Sequence, residues 1–220
     1  PTRLPFDSAR VISSVSVIIY KPSSRYSNRH GLRALDTIDT MSRPPLAREK
    51  VLDAFEAILV DEGERAATMD ATARAAGVSK GGLLYHFASK EMLEAGLIER
   101  LQTLVDEDVA AMSSYPGGPI AHYLHSSVMS NDPIDRVILA TSRLAQGGNG
   151  HAAEALREVR EKWADALRPY APEGAALDLV MLVGDGLYFN NALSGGSIPG
   201  PVPRGDALKA LVALVERAVR

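Results

Sequence analysis

The chain has 220 residues, with 24 Lys+Arg against 27 Asp+Glu, a net charge of −3, 46% hydrophobic residues and no cysteine. That length buries a core without cross-links. The near-neutral balance excludes general disorder and gives no overall pull toward nucleic acid or anionic membrane. Lack of cysteine excludes disulfides, thiolate nucleophiles and Cys-based metal sites, and no apolar run approaches the roughly 18–20 residues that span a bilayer.

In chain order, the first 40 residues stand apart. They hold two alanines against 29 in the other 180, seven serines, no glutamate and no methionine. The expectation is a native start at Met41, with residues 1–40 an N-terminal extension, disordered or non-native. Residues 11–20 of it are apolar and β-branched. A signal peptide flanked by Arg10 is the alternative, but the segment is short, broken by serines and without a small-residue cleavage signal.

From residue 44 the pattern is helical. Val51, Phe55, Ile58 and Leu59 share one face of a helix ending near Gly63. Thr68 can cap a second helix that stops at Gly77, and Ser79 a third that runs to Phe87. Ser89 opens a long fourth helix in which Leu93, Leu97, Leu101 and Leu104 or Val105 recur on one face. Helices are expected at 119–130, 133–146, 151–170, 174–194 and 205–219, separated by loops rich in Gly, Pro and Asn. The fold class is therefore all-α, with about nine helices.

Residues 68–90 carry the functional signal. Two short helices meet at a tight Gly77-Val78-Ser79 turn, and small side chains at Ala73, Ala75 and Ala76 let them approach closely. This is helix-turn-helix geometry, which places its second helix in a DNA major groove. Residues 74–90 contain Arg74, Lys80 and Lys90 and no acid, a local positive patch suited to phosphates. Gly81 and Gly82 weaken the reading helix by about 1 kcal/mol each relative to Ala, a cost that a site needing close backbone approach tolerates.

In its order Thr68, Ala73, Ala76-Gly77-Val78-Ser79-Lys80-Gly81, Leu83, Tyr85-His86-Phe87, Ser89-Lys90-Glu91 and Leu93, the segment resembles the N-terminal DNA-binding domain of the TetR family of transcriptional regulators, over residues 47–99. The resemblance implies a three-helix DNA-binding domain at 44–90 and a C-terminal ligand-binding and dimerisation domain at 91–220. It implies a homodimer that represses by holding a palindromic double-stranded operator and is released by a small-molecule inducer; a cytoplasmic location, which the lack of cysteine fits, and no cofactor are expected alongside. Thr68, Tyr85, His86 and Lys90 would contact phosphate. Ser79, Lys80, Gly81 and Gly82 would face base edges or backbone, and Leu83 and Phe87 would be core. Leu84 stands where many members carry a phosphate-contacting tyrosine, Thr72 where an apolar core residue is usual, and Gly82 where a polar side chain often reads a base.

Other motifs carry less. His122 and His125 are three residues apart on a helix without an evident third metal ligand, so a solvated or pocket-lining role competes with metal binding. Gly147-Gly148-Asn149-Gly150 follows a helix and lacks the Lys-Ser/Thr of a phosphate loop, which makes it a turn. The stripes of 174–194 (Leu177, Val180, Met181, Gly184, Leu187, Tyr188 and Asn191 in helical register) and 205–219 (Leu208, Leu211, Val212, Val215, Val219) fit a four-helix dimer interface, intrachain core being the alternative. A ligand pocket is expected among helices 119–130, 151–170 and 174–194. Tyr123, Met129, Trp163, Met181, Tyr188 and Phe189 would form walls, and His122, Asp185 and Asn190 polar anchors, with Asp185 as counter-charge to a cationic ligand. The same polar residues facing water or the dimer contact is the competing reading. A helical-bundle enzyme and a partner-binding protein without sequence-specific DNA binding are the alternative functions, but no acid–base constellation supports the enzyme.

Overall fold

A computed structural model describes residues 44–172, 174–193 and 200–219. The extension 1–40, the expected start at Met41 and residues 194–199 lie outside them. The described residues form nine helices: α1 (Pro44–Asp61), α2 (Met69–Ala76), α3 (Lys80–His86), α4 (Lys90–Met112), α5 (Gly118–Ser126), α6 (Pro133–Gln146), α7 (Gly150–Leu167), α8 (Gly174–Leu193) and α9 (Gly205–Ala218).

Local chemistry sets the boundaries. Gly77 adopts φ +67°, and its N–H donates to Arg74 O at 3.2 Å while Val78 N–H donates to Ala73 O at 3.0 Å. The left-handed residue that closes α2 thus also satisfies its last carbonyls. Asn149 caps α7 by accepting from Ala152 N–H at 2.9 Å. Two helices are shorter than their periodicity suggests. α5 ends at Ser126, where the Ser126 and Ser127 hydroxyls both donate to Tyr123 O, at 3.1 and 2.7 Å. Such side-chain bonds compete with helix continuation. α7 ends at Leu167 rather than 170: Arg168 still donates to Ala164 O, but Pro169 has no N–H to carry the ladder further.

The apolar faces make two cores. One gathers Val51, Leu52, Phe55 and Leu59 of α1 with Leu83, Phe87, Leu93, Leu97, Leu101 and Val105, and takes in Val137, Ala140 and Leu144 of α6 and Val159 of α7. The other joins Met112, α5, the end of α7, α8 and α9. Trp163 packs against both. Helix α4, about 34 Å long at 1.5 Å per residue, runs from the first core into the second.

The first core is also tied by charge. Glu56 of α1 is 6% exposed. It accepts from Arg136 Nε of α6 at 2.8 Å and from an Arg100 guanidinium nitrogen of α4 at 3.2 Å. Arg100 reaches Glu49 at 2.7 Å and Asp53 at 2.9 Å as well. A buried carboxylate held by two guanidiniums resists loss of either partner, so α1, α4 and α6 are clasped at one point.

The stripes expected to face a partner are corrected here. Leu177, Val180, Met181 and Leu187 of α8 and Leu208, Val212, Val215 and Val219 pack together inside the chain. The apolar residues left outward are Leu179, Leu182 and Phe189 on α8 and Leu214 on α9. Helix α8 is apolar on two faces, and only one is used within the chain.

Candidate nucleic-acid interface and ligand cleft

Helices α2 and α3 are fixed by their caps. Thr68 Oγ1 accepts from Ala71 N–H at 3.2 Å, and Ser79 Oγ accepts from Gly82 N–H at 3.0 Å. Leu83 and Phe87, four residues apart, seat α3 on the core, and Gly96 of α4 makes room for that seat. A Cβ there would lie 2.9 Å from Phe87 Cε1. The opposite side of α3 is open. Tyr85 is 80% exposed and Leu84 41%, and a Cβ at Gly81 would meet nothing closer than Ser79 Oγ at 4.0 Å. Tyr85 and His86 pack edge to face at 5.1 Å.

The cations of this face differ in what holds them. Lys80 Nζ lies 3.0 Å from Asp70 Oδ1, with both side chains largely exposed, so the start of α3 adjoins the first turn of α2 and its cap Thr68. Lys90 is half-buried, bonds to Glu64 and lies 3.8 Å from Glu94. Burial raises the Glu94 pKa against the pull of Lys90. Asn149, from the turn between α6 and α7, donates to Glu94 at 2.7 Å. Lys90 thus sits in a joint between the helix-turn-helix and the rest of the chain. Arg65, in the turn before Thr68, is exposed and has no ion-pair partner among the described residues. Sequence reading passed over it because it lies outside the motif.

A cleft of about 570 Å³ opens among α4, α5, α6, α7 and α8. Of the expected wall and anchor residues, Tyr123, Trp163, Asp185, Tyr188 and Phe189 line it. His122, Met129, Met181 and Asn190 do not. His122 bonds to Asp108 at 2.7 Å, Met129 O accepts from Asn191 at 3.0 Å, Met181 is core, and Asn190 donates to Pro201 O at 3.2 Å. Helix α6, not anticipated as a wall, supplies Ile134, Asp135, Ile138, Leu139, Ser142 and Arg143. Its stripe shows a helix with one buried face, but nothing in its spacing shows that its flank borders a cavity.

The carboxylates around the cleft are engaged. Asp108 takes His122 on one oxygen and the Trp163 indole N–H on the other, at 2.9 Å. Asp185 is paired with Arg160, both side chains about half exposed, so a cationic ligand would have to compete with that arginine. Asp135 Oδ2 accepts from the N–H groups of Ser130, Asn131 and Asp132 at 3.0, 2.9 and 3.2 Å. Burial nevertheless raises its pKa above the usual carboxylate value, against those three bonds. Burial also pushes the Tyr123 and Tyr188 phenols up, so both are neutral hydroxyls at pH 7. Arg143 has no charged partner among the described residues, and Asp135 is met by backbone N–H groups rather than by a cation. Tyr123 lies against Gly184, where a Cβ would be 2.3 Å from Tyr123 Cε1.

Among the described residues no group of three or more His, Asp or Glu is placed to hold a metal ion, and no helix is long and apolar enough to cross a membrane. Residues 51–95 match the family model of bacterial regulatory proteins, tetR family. No curated protein matches the sequence. Three solved structures share the fold. A protein from Rhodococcus sp. assigned to the TetR-family transcriptional regulators is 18% identical over 79% of this chain and 98% of its own, with a TM-score of 0.54. A gamma-butyrolactone receptor (ArpA-like protein) is 21% identical over 81% and 100%, with a TM-score of 0.51. A TetR-like transcriptional regulator from Rhodococcus sp. RHA1 is 20% identical over 78% and 94%, with a TM-score of 0.50.

Proposed function

We propose, from the match of residues 51–95 to the tetR family of bacterial regulatory proteins, that the chain is a transcriptional repressor that leaves a palindromic operator when a small molecule fills its cleft. The observation that carries the reading is the helix-turn-helix itself. Its second helix is seated by Leu83 and Phe87 and presents Lys80, Leu84 and Tyr85 outward. A protein acting on DNA in this way would work in the cytoplasm.

The apolar stripe left on α8, with Leu214 of α9, supports dimerisation on that side. Gly186 lies within the stripe and has nothing within 4 Å of where a Cβ would stand, so a second helix can approach closely. A two-fold dimer would set its reading helices one turn of DNA apart, about 34–36 Å, or a multiple of it.

Cleft volume and lining fit a small molecule of mostly apolar body. Because Asp135 is already held by three N–H groups and Asp185 faces Arg160, while Arg143 has no charged partner among the described residues, the lining favours an acceptor or anionic group on the ligand over a cationic one. The ligand can shift the DNA-binding equilibrium only by preferring one shape of the dimer.

Selection of bound duplexes from a random pool tests the reading. A palindromic consensus is expected, and Lys80→Ala should reduce the slope of log K against log salt by about one per protomer if Lys80 neutralises a phosphate. An inducer that releases the duplex should alter the fluorescence of Trp163, the single tryptophan. Recovery of no preferred sequence would overturn the proposal.

A further inference from the structure

We propose that Leu84 reads a thymine methyl group in the major groove and is, with Lys80, a determinant of operator sequence. The inference rests on the regulator reading above and adds to it a specific base contact. The reading helix is stripped of side chains at Gly81 and Gly82, so few groups on it can touch a base edge. Lys80 and Leu84 are four residues apart and share one flank of α3. The neighbouring Leu83 is fully buried, whereas Leu84 is not used by the core.

An exposed leucine is unremarkable on an ordinary surface. On a helix that enters a groove it has restricted options. It cannot accept or donate a hydrogen bond, so it adds nothing at a phosphate and leaves a polar base edge unsatisfied. Among the base edges of the major groove the apolar group is the C5-methyl of thymine. Lys80, one turn earlier on the same flank, is suited to guanine O6 and N7 or to a phosphate. A half-site with thymine at one fixed position is the consequence. The discriminating force is loss of apolar contact, which at about 0.8 kcal/mol per buried methyl-sized group corresponds to roughly three- to fivefold in affinity for each half-site.

The experiment begins with the duplex selected by the full-length wild-type protein. Each thymine is replaced in turn by uracil, which removes the methyl and leaves the hydrogen-bonding edge unchanged. One position per half-site should lower wild-type affinity by roughly three- to fivefold. Leu84→Ala should bind the thymine duplex more weakly and show no further loss with uracil at that position. Leu84→Met, which keeps an apolar reach, should retain the sensitivity. Uracil without effect at every position, or Leu84→Ala as sensitive as wild type, would overturn the inference while leaving DNA binding intact. Failure to select any duplex would overturn the regulator reading and this inference with it.

Discussion

Thr72 places a hydroxyl in the packed interior of the helix-turn-helix, fully buried and with no hydrogen-bond partner for Oγ1. In the unfolded chain that oxygen is solvated, so burial penalises folding. Thr72→Val, close in shape, should stabilise the protein by about 1 kcal/mol in urea unfolding without changing DNA affinity; an unchanged or lower midpoint would mean that the hydroxyl is satisfied after all. The sequence shows this residue as polar at a core position. It does not show Asp135, whose surroundings depend on residues 130–132 turning back, with Asn131 at φ +67°. A raised carboxylate pKa means that the folded state binds the proton more tightly than the unfolded one. The ionised side chain therefore costs stability above the raised value, and that cost fades as pH falls toward 3.8. Asp135→Asn can keep the three N–H bonds on its carbonyl oxygen. It should be more stable than wild type near pH 7, with the advantage shrinking as the solution is acidified. A difference independent of pH would exclude charge burial as the cause.

Among elements, α8 shows where periodicity stops informing. Leu177, Val180, Met181, Gly184 and Leu187 form one apolar row and Leu179, Leu182, Gly186 and Phe189 another. Both satisfy helical spacing, so the pattern establishes the helix without saying which row is inside. The structure buries the first against α5 and α9. Within it Gly184 is the position of closest approach. Gly184→Ala would bring Cβ to 2.3 Å from Tyr123 and 3.0 Å from Ser127 Oγ, and the Tyr123 ring must move. Overpacking of this kind costs about 1–3 kcal/mol. Because Tyr123 is a cleft wall whose ring lies 6.0 Å from that of Trp163, the variant should also change Trp163 emission. Inducer affinity should fall while operator affinity is retained; unaltered emission would place the adjustment elsewhere. The short α2 and α3, by contrast, were legible to their caps, since Thr68, Gly77 and Ser79 each act within their own turn.

At the scale of the molecule, long-range ties are what the sequence conceals. Glu56 meets Arg100 44 residues away and Arg136 80 residues away, and no local pattern pairs them. The cleft is likewise assembled from five helices and was foreseen only in part, at Tyr123, Trp163, Asp185, Tyr188 and Phe189. The outward row of α8 leads to a prediction at this scale. Leu182 is 66% and Leu214 55% exposed, so Leu182→Glu with Leu214→Glu should fold normally but sediment as a monomer and lose binding to a palindrome. A stable dimer of the double variant would exclude this face as the interface. The ion pair between Lys80 and Asp70 has a further consequence, for the search that precedes binding. The lysine at the reading head brings its own counter-ion, in an exposed pair worth at most about 1 kcal/mol. On random DNA, Lys80 gains little by exchanging Asp70 for a phosphate, and the released carboxylate then lies beside the polyanion. Only a base that rewards the lysine shifts that exchange decisively. On the proposed reading, encounters off the operator would be weakened by no more than the worth of that pair, roughly fivefold per protomer, and the protein would leave unmatched sequences that much sooner.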